Sequence, residues 1–222
     1  MQIYNLDLQE LPLFRGLSGK EIEEFVEHTS AIIRRYEKGV YVLRPYEKNS
    51  NIGVIVNGLA QVISEDRLGN ETVGHSLERG SLLGSTSAIL SEEYNPTAIE
   101  PLSDVLVLWI PYRSLLVAGP KLGRIHGIVM KNLLEAFCKK SVLMLEKLKL
   151  LSQKSLRERI ILYLLQKEKH QKTERVKVPR RMQLAKELEC NRSALTREIS
   201  LMRQEGLLIC EDDSMCLNKD NL

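Results

Sequence analysis

The 222-residue chain has no apolar run that approaches the ~18 residues of a membrane-spanning helix, so no membrane partner is expected. Cysteine is scarce. Cys138, Cys190, Cys210 and Cys216 all fall in the C-terminal half without paired spacing. That excludes a disulfide framework and fits a reducing cytoplasm. The four histidines are scattered, with no HxH group and carboxylate such as a cupin-like metal enzyme would need. Neither a Ser/His/Asp arrangement nor a glycine-rich phosphate loop stands out, so catalysis is not expected. The opening MQIYNLDLQELPLF is acidic and lacks a basic stretch followed by an apolar one, unlike a secretory leader.

What is present divides sharply by charge. Hydrophobic residues make up 43% and charged residues 27%, an ordinary globular composition with ample core material. The net charge of +3 hides a polarity. Residues 1–120 carry 10 Lys/Arg against 16 Asp/Glu, residues 121–151 carry 7 against 2, and residues 152–222 carry 15 against 11. An acidic front and a basic back imply two functional halves, the second suited to a polyanion.

Along the chain, LQELPLF predicts short helical turns, and Ser18 with Glu21 forms a capping-box signature before IEEFVEH. From Ile32 to Pro111 the texture becomes that of short strands: YVLRP, IGVIVNG, AQVIS, ETVGHSL and DVLVLWI. Turn signals at Lys38-Gly39, Asn57-Gly58 and Gly69-Asn70 separate them. Such spacing predicts an antiparallel barrel or jelly roll. Pro111 and Pro120 bracket a short helix, YRSLLVAG. A long helix over 121–151 then carries Met130, Leu134, Phe137, Ser141, Met144, Leu148 and Leu151 in 4-3-4-3 spacing, the seam of a partner-helix interface and so of a homodimer. Packing of the same stripe on the chain's own barrel is the alternative.

Residues 152–170 predict a further amphipathic helix with Ile160, Leu164 and Leu165 inward. In the last segment, Leu184, Ala185 and Leu188 mark one short helix, and Glu189-Cys190-Asn191 a tight turn. Asn191 is placed to cap a second helix whose inward face is Leu195, Ile199 and Met202. Small Ala185 lets the two helices cross closely. ICEDDSMCLN then reads as a two-stranded wing turning at Asp212-Asp213-Ser214. The order of turn, cap and wing is that of a winged helix-turn-helix. It leaves Arg192, Ser193, Thr196 and Arg197 at the exposed start of the second helix, with Arg180, Arg181 and Asn191 beside them. Arginine bonds guanine O6 and N7 together, and hydroxyls serve bases or phosphates, so double-stranded DNA is the expected partner.

On these residues the chain resembles the CRP/FNR family of bacterial transcription regulators over nearly its whole length. The resemblance is carried by Tyr36-Glu37-Lys38-Gly39, Ile55-Val56-Asn57-Gly58, Arg79-Gly80-Ser81-Leu82-Leu83-Gly84, Leu108-Trp109-Ile110-Pro111 and Cys190–Arg197. It implies an α+β fold: an antiparallel β-barrel (jelly-roll, cyclic-nucleotide-binding-like) over 1–120, a dimerisation helix over 121–151 and a winged helix-turn-helix over 152–222. It further implies a homodimer on a pseudo-palindromic DNA site, allosteric control by an effector, and RNA polymerase as a partner. The matching effector pocket would draw on Gly84, Ser85, Thr86, Asn95, Thr97, Phe137, Ser141 and Met144.

Departures from the family pattern narrow this. Relatives that bind cyclic AMP hold its ribose with a glutamate and its phosphate with an arginine followed by serine. The corresponding positions here are Ser85 and Asn95-Pro96, and Met144 and Leu145 replace the polar residues offered to the base. A buried phosphate without its arginine loses a charge-assisted pair, so cyclic AMP is not expected. An iron–sulfur cluster is not expected either, since no cysteine precedes Cys138. The cofactor is therefore unassigned. Alternative readings are a haem or redox sensor using His28, His75 or His126, and a ligand-binding module acting on another protein. Cys138, near the seam, is expected to be a buried structural thiol rather than an inter-subunit disulfide. Many relatives carry glutamate where Ser193 stands, which implies a half-site unlike TGTGA or TTGAT, most of all at the step Ser193 faces.

Overall fold

The computed structural model describes residues 7–65, 71–90, 97–117, 122–211 and 213–221, and the chain divides into two compact units, Met1–Phe137 and Cys138–Leu222. The division falls inside the long helix rather than at either end of it.

The first unit opens with 3-10 turns at Leu8–Glu10 and Pro12–Phe14 and continues into α1 (Gly19–Thr29). The capping box forms as expected: the Glu21 amide donates to Ser18 Oγ at 3.4 Å, and the Ser18 amide donates to Glu21 Oε2 at 2.9 Å. Among the described residues seven strands follow. They are β1 (Ile32–Tyr36), β2 (Asn51–Asn57), β3 (Ala60–Glu65), β4 (Glu71–Leu77), β5 (Leu82–Leu83), β6 (Thr97–Pro101) and β7 (Val105–Pro111). A short helix α2 (Ser85–Leu90) separates β5 from β6, and α3 (Tyr112–Leu116) follows β7, shorter than YRSLLVAG suggested.

The strands form two antiparallel sheets, ordered β1-β7-β2-β5 and β4-β3-β6. Both faces of the first sheet are covered, which is why β2 and β7 read as nearly unbroken apolar runs. Ile52, Val54, Val56, Leu108 and Ile110 pack with α1, the 3-10 turns and the first part of α4 (Gly123–Leu151), through Ile125, Val129 and Leu133. The alternate residues Ile55, Val105, Val107 and Trp109 join Ala60, Leu77 and Ile99 of the second sheet. Buried Asn132 on α4 donates to the carbonyls of Leu13 and Arg15, both at 2.9 Å, tying the helix to the N-terminal turns.

Some sequence expectations are corrected here. YVLRP is not a strand: only an isolated bridge joins Leu43 to Ile99. Pro45 has no amide to donate, and Tyr46 takes a left-handed φ of 63°, so no ladder can continue. Strands β1 and β6 were not among the expected runs, because IIRRY does not alternate and TAIEP ends in proline. The Gly69-Asn70 turn lies outside the described residues.

The second unit begins on the remainder of α4, followed by α5 (Leu156–Gln171), capped by Ser155 and Glu158. Then come β8 (Val176–Lys177), α6 (Arg181–Glu187), α7 (Arg192–Gln204), β9 (Leu208–Glu211) and β10 (Ser214–Leu217). The wing gains a third strand, in the order β8-β10-β9. Its core gathers Ile160, Tyr163 and Leu164 of α5 with Leu184, Ala185, Leu188, Leu195, Ile199 and Met202. Leu165 is 40% exposed, contrary to expectation; one residue past Leu164 turns it ~100° off the buried stripe, and Tyr163 takes the inward place. Cys138 is exposed, not buried, because this stretch of α4 supplies nothing to the second unit's core before Leu150.

Candidate nucleic-acid interface

The placement of α7 follows from the turn before it. After α6 the Cys190 amide donates to the Ala185 carbonyl at 3.0 Å and the Glu189 amide to the Lys186 carbonyl at 3.2 Å. This paired closure needs a left-handed residue between the helices, and Glu189 supplies it at φ 49°. Asn191 then caps α7, its Oδ1 accepting from the Ser193 amide at 2.8 Å. Leu195, Ile199 and Met202 are buried against α6, which turns Arg192, Ser193, Thr196 and Arg197 outward.

Electrostatics favour an anion at that face. Arg157 of α5 holds Glu198 of α7 and Glu205 just past its end. Its Nε donates to Glu198 at 2.6 Å, and its terminal nitrogens donate to Glu205 at 2.6 and 3.0 Å. The bonds to Glu205, then those to Glu198, hold the guanidinium above its ordinary value. Glu187 on α6 accepts the Tyr163 hydroxyl at 3.0 Å, and Glu189 pairs with Lys147 at 3.4 Å. By contrast, Arg192, Arg197, Arg180 and Arg181 have no ion pair among the described residues. Arg192, Arg197 and Arg180 are exposed, Arg180 preceding α6, while Arg181 is half-buried. The positive end of α7 points the same way.

One hydroxyl is partly spent. Thr196 Oγ1 donates to the Arg192 carbonyl at 2.9 Å, which leaves it lone pairs to offer rather than its proton. The positioning residues Arg157 and Tyr163 were not legible beforehand: their partners lie 41, 48 and 24 residues away, and no local pattern marks such pairs.

The remaining candidates are more dispersed. On α4, Leu134, Ser141, Met144 and Leu148 of the seam are exposed, whereas Met130 and Phe137 lean on the first unit's core and Leu151 is half-buried. Of the effector-pocket candidates, Gly84 forms the turn before α2 at φ 65°, Ser85 is buried, Thr86 is exposed and Thr97 is half-buried on β6. Ser141 and Met144 belong to the second unit, and Asn95 lies outside the described residues. His28 and His75 are exposed, while His126 Nε2 sits 2.5 Å from the Leu115 carbonyl. Among the described residues no group of three or more His, Cys, Asp or Glu side chains could hold a metal ion.

A sheet-rich unit followed by a winged helix-turn-helix defines the architecture. No family model matches the chain, and no curated protein matches it. Solved structures do. The Thermus thermophilus catabolite activator protein is 20% identical with a TM-score of 0.53, covering 94% of each chain. The c-di-GMP-responsive global regulator CLP of Xanthomonas campestris is 19% identical with a TM-score of 0.58, over 90% of this chain and 99% of that one. CprK in complex with OCPA is 14% identical with a TM-score of 0.64, over 88% and 91%. The chain has the fold of the CRP/FNR transcription regulators.

Proposed function

We propose that this chain is a dimeric, sequence-specific DNA-binding transcription regulator, not an enzyme, governed by an effector other than cyclic AMP. The observation that carries the reading is the start of α7. Four side chains suited to base and phosphate contact face outward there, while Glu198 of the same helix and Glu205 at its C-terminal end are engaged by Arg157. Arg192 and Arg197 are assigned to base edges, and Arg180, Arg181, Asn191, Ser193 and Thr196 to the backbone or adjacent bases. Dimerisation is assigned to α4, where Leu134, Met144 and Leu148 of the seam are exposed and Val142, Leu143 and Leu145 add exposed apolar surface around the helix. An effector then biases the spacing of the two heads, which two-fold symmetry matches to half-sites on the order of ten base pairs apart.

The test is an in vitro selection on random duplexes with the full chain, followed by titration of Arg192→Ala on the selected site. A palindromic site differing from TGTGA is expected, and Arg192→Ala should lose ~1–3 kcal/mol there with relaxed choice at one base. Equal loss on random DNA would move Arg192 to a phosphate, and failure to enrich any duplex would sink the reading.

A further inference from the structure

A cavity of about 420 Å³ opens on the first unit, and none of the effector-pocket candidates named above lines it, although Gly84 adjoins its rim. Its floor is Trp109 of β7. In the sheet register Trp109 lies opposite Gly53 of β2 and Ile32 of β1. A Cβ on Gly53 would come within 2.9 Å of the indole, so glycine there makes room for the ring. The indole N–H donates to the Tyr36 hydroxyl at 2.9 Å, fixing both rings on the wall, and Tyr41 adds a third.

The rim is cationic within a half of the chain that is otherwise acidic. Arg34, Arg44 and Lys48 line the cavity against a single carboxylate, Glu47, which already accepts the Arg44 amide at 3.1 Å. The guanidiniums of Arg34 and Arg44 have no partner among the described residues. The rim is also preorganised. Asn49 donates to the carbonyls of Asn51 and Gly84 at 2.8 and 2.9 Å and accepts the Asn51 amide at 3.0 Å. Aromatic walls beneath unpaired guanidiniums suit a ligand with a flat apolar body and an anionic head, in a cavity of ordinary small-molecule size.

We propose that this cavity is a binding site for a small ring-bearing organic anion, the rings holding its body and Arg34 and Arg44 its carboxylate or phosphate. The site does not depend on DNA binding, and its test uses no DNA. Trp109 is the chain's only tryptophan and so reports occupancy directly. The full chain is titrated with phenyl phosphate, benzoate, inorganic phosphate and benzyl alcohol while Trp109 fluorescence is followed. Phenyl phosphate or benzoate should give a saturable change, and whichever binds tighter identifies the head group. Inorganic phosphate and benzyl alcohol should bind at least ~10-fold more weakly, about one decade of affinity for each missing half of the ligand. The double variant Arg34→Gln/Arg44→Gln, altering two exposed side chains, should keep its melting temperature and lose at least ~10-fold in affinity. The proposal is overturned if no probe saturates by about 10 mM, if either fragment binds as well as the whole, or if the double variant binds unchanged.

Discussion

The two units handle charge in opposite ways. In the second, acids and bases are interleaved through the sequence, and folding sorts them: Arg157 gathers Glu198 and Glu205, Tyr163 takes Glu187, and Arg192 and Arg197 at the start of α7 are left without an ion pair among the described residues. In the first, acids predominate, and Arg34 and Arg44, which have no partner among the described residues, share one concavity with aromatic rings. A flat cationic surface suits an extended polyanion whose phosphates recur along a duplex. A cationic concavity with aromatic walls suits a single small anion. Net charge alone would have put anion binding only in the second unit.

If the units are separately cohesive, damage to one core should stay within it. Leu195→Ala removes a fully buried side chain from the packing of α7 on α6 and should cost about 2–5 kcal/mol. Far-UV circular dichroism should then show an earlier transition, while Trp109 fluorescence, which reads only the first unit, keeps its own. If the two signals shift together, the units unfold as one and the comparison fails. The reciprocal damage is Gly58→Ala at the β2–β3 turn. Gly58 has a φ of 95°, and a Cβ there would lie 2.2 Å from the Asp104 carbonyl oxygen. A cost of about 1–3 kcal/mol is expected, read now as an earlier Trp109 transition with the second unit unmoved.

The same contrast explains what was legible in advance. The helix-turn-helix is written in local signals, since a left-handed closure, a cap at Asn191 and a 3.6-residue stripe each lie within a few residues. Its faces emerged with little error, and only Leu165 was placed on the wrong side. The sheet unit depends on partners far apart in sequence. Strand β1 pairs with β7 through Ile32 and Trp109, and nothing near Ile32 announces this. Segment 41–45 looked like a strand from composition but is interrupted by Pro45 and Tyr46. The cavity was not foreseen at all, because its cations belong to two separate stretches, β1 and the loop at 44–48, that only the fold brings together. The homodimer and the effector remain proposals, resting on exposed side chains that need a second molecule to explain them.

A smaller effect separates the units on the alkaline side. Burial, and then the charge and hydrogen bond of Glu187, push the Tyr163 phenol above its usual value. The unfolded chain therefore gives up this proton first, near pH 10, and folding loses stability as pH rises beyond that point, whereas nothing changes near neutrality. The second unit should show a steepening of up to one proton in its stability-versus-pH curve above about pH 10. Tyr163→Phe should remove it. A slope unchanged in that variant would assign the proton elsewhere.

The smallest expected effect tests the turn that aims α7. Glu189 occupies a left-handed position where a side chain costs free energy and glycine does not. Among the described residues its compensation is an exposed pair with Lys147 at 3.4 Å, the kind of contact worth ~0–1 kcal/mol and weakened by salt. Glu189→Gly relieves the backbone but surrenders the pair and loosens the unfolded chain, so a net gain of about 0.5 kcal/mol is expected. Glu189→Ala surrenders the pair without relieving the backbone and should lose slightly. Because salt has already cancelled the pair, the advantage of glycine over the native residue should widen as ionic strength rises. A glycine variant that is less stable at every salt concentration would mean that the carboxylate, not the backbone closure, holds α6 and α7 at their angle.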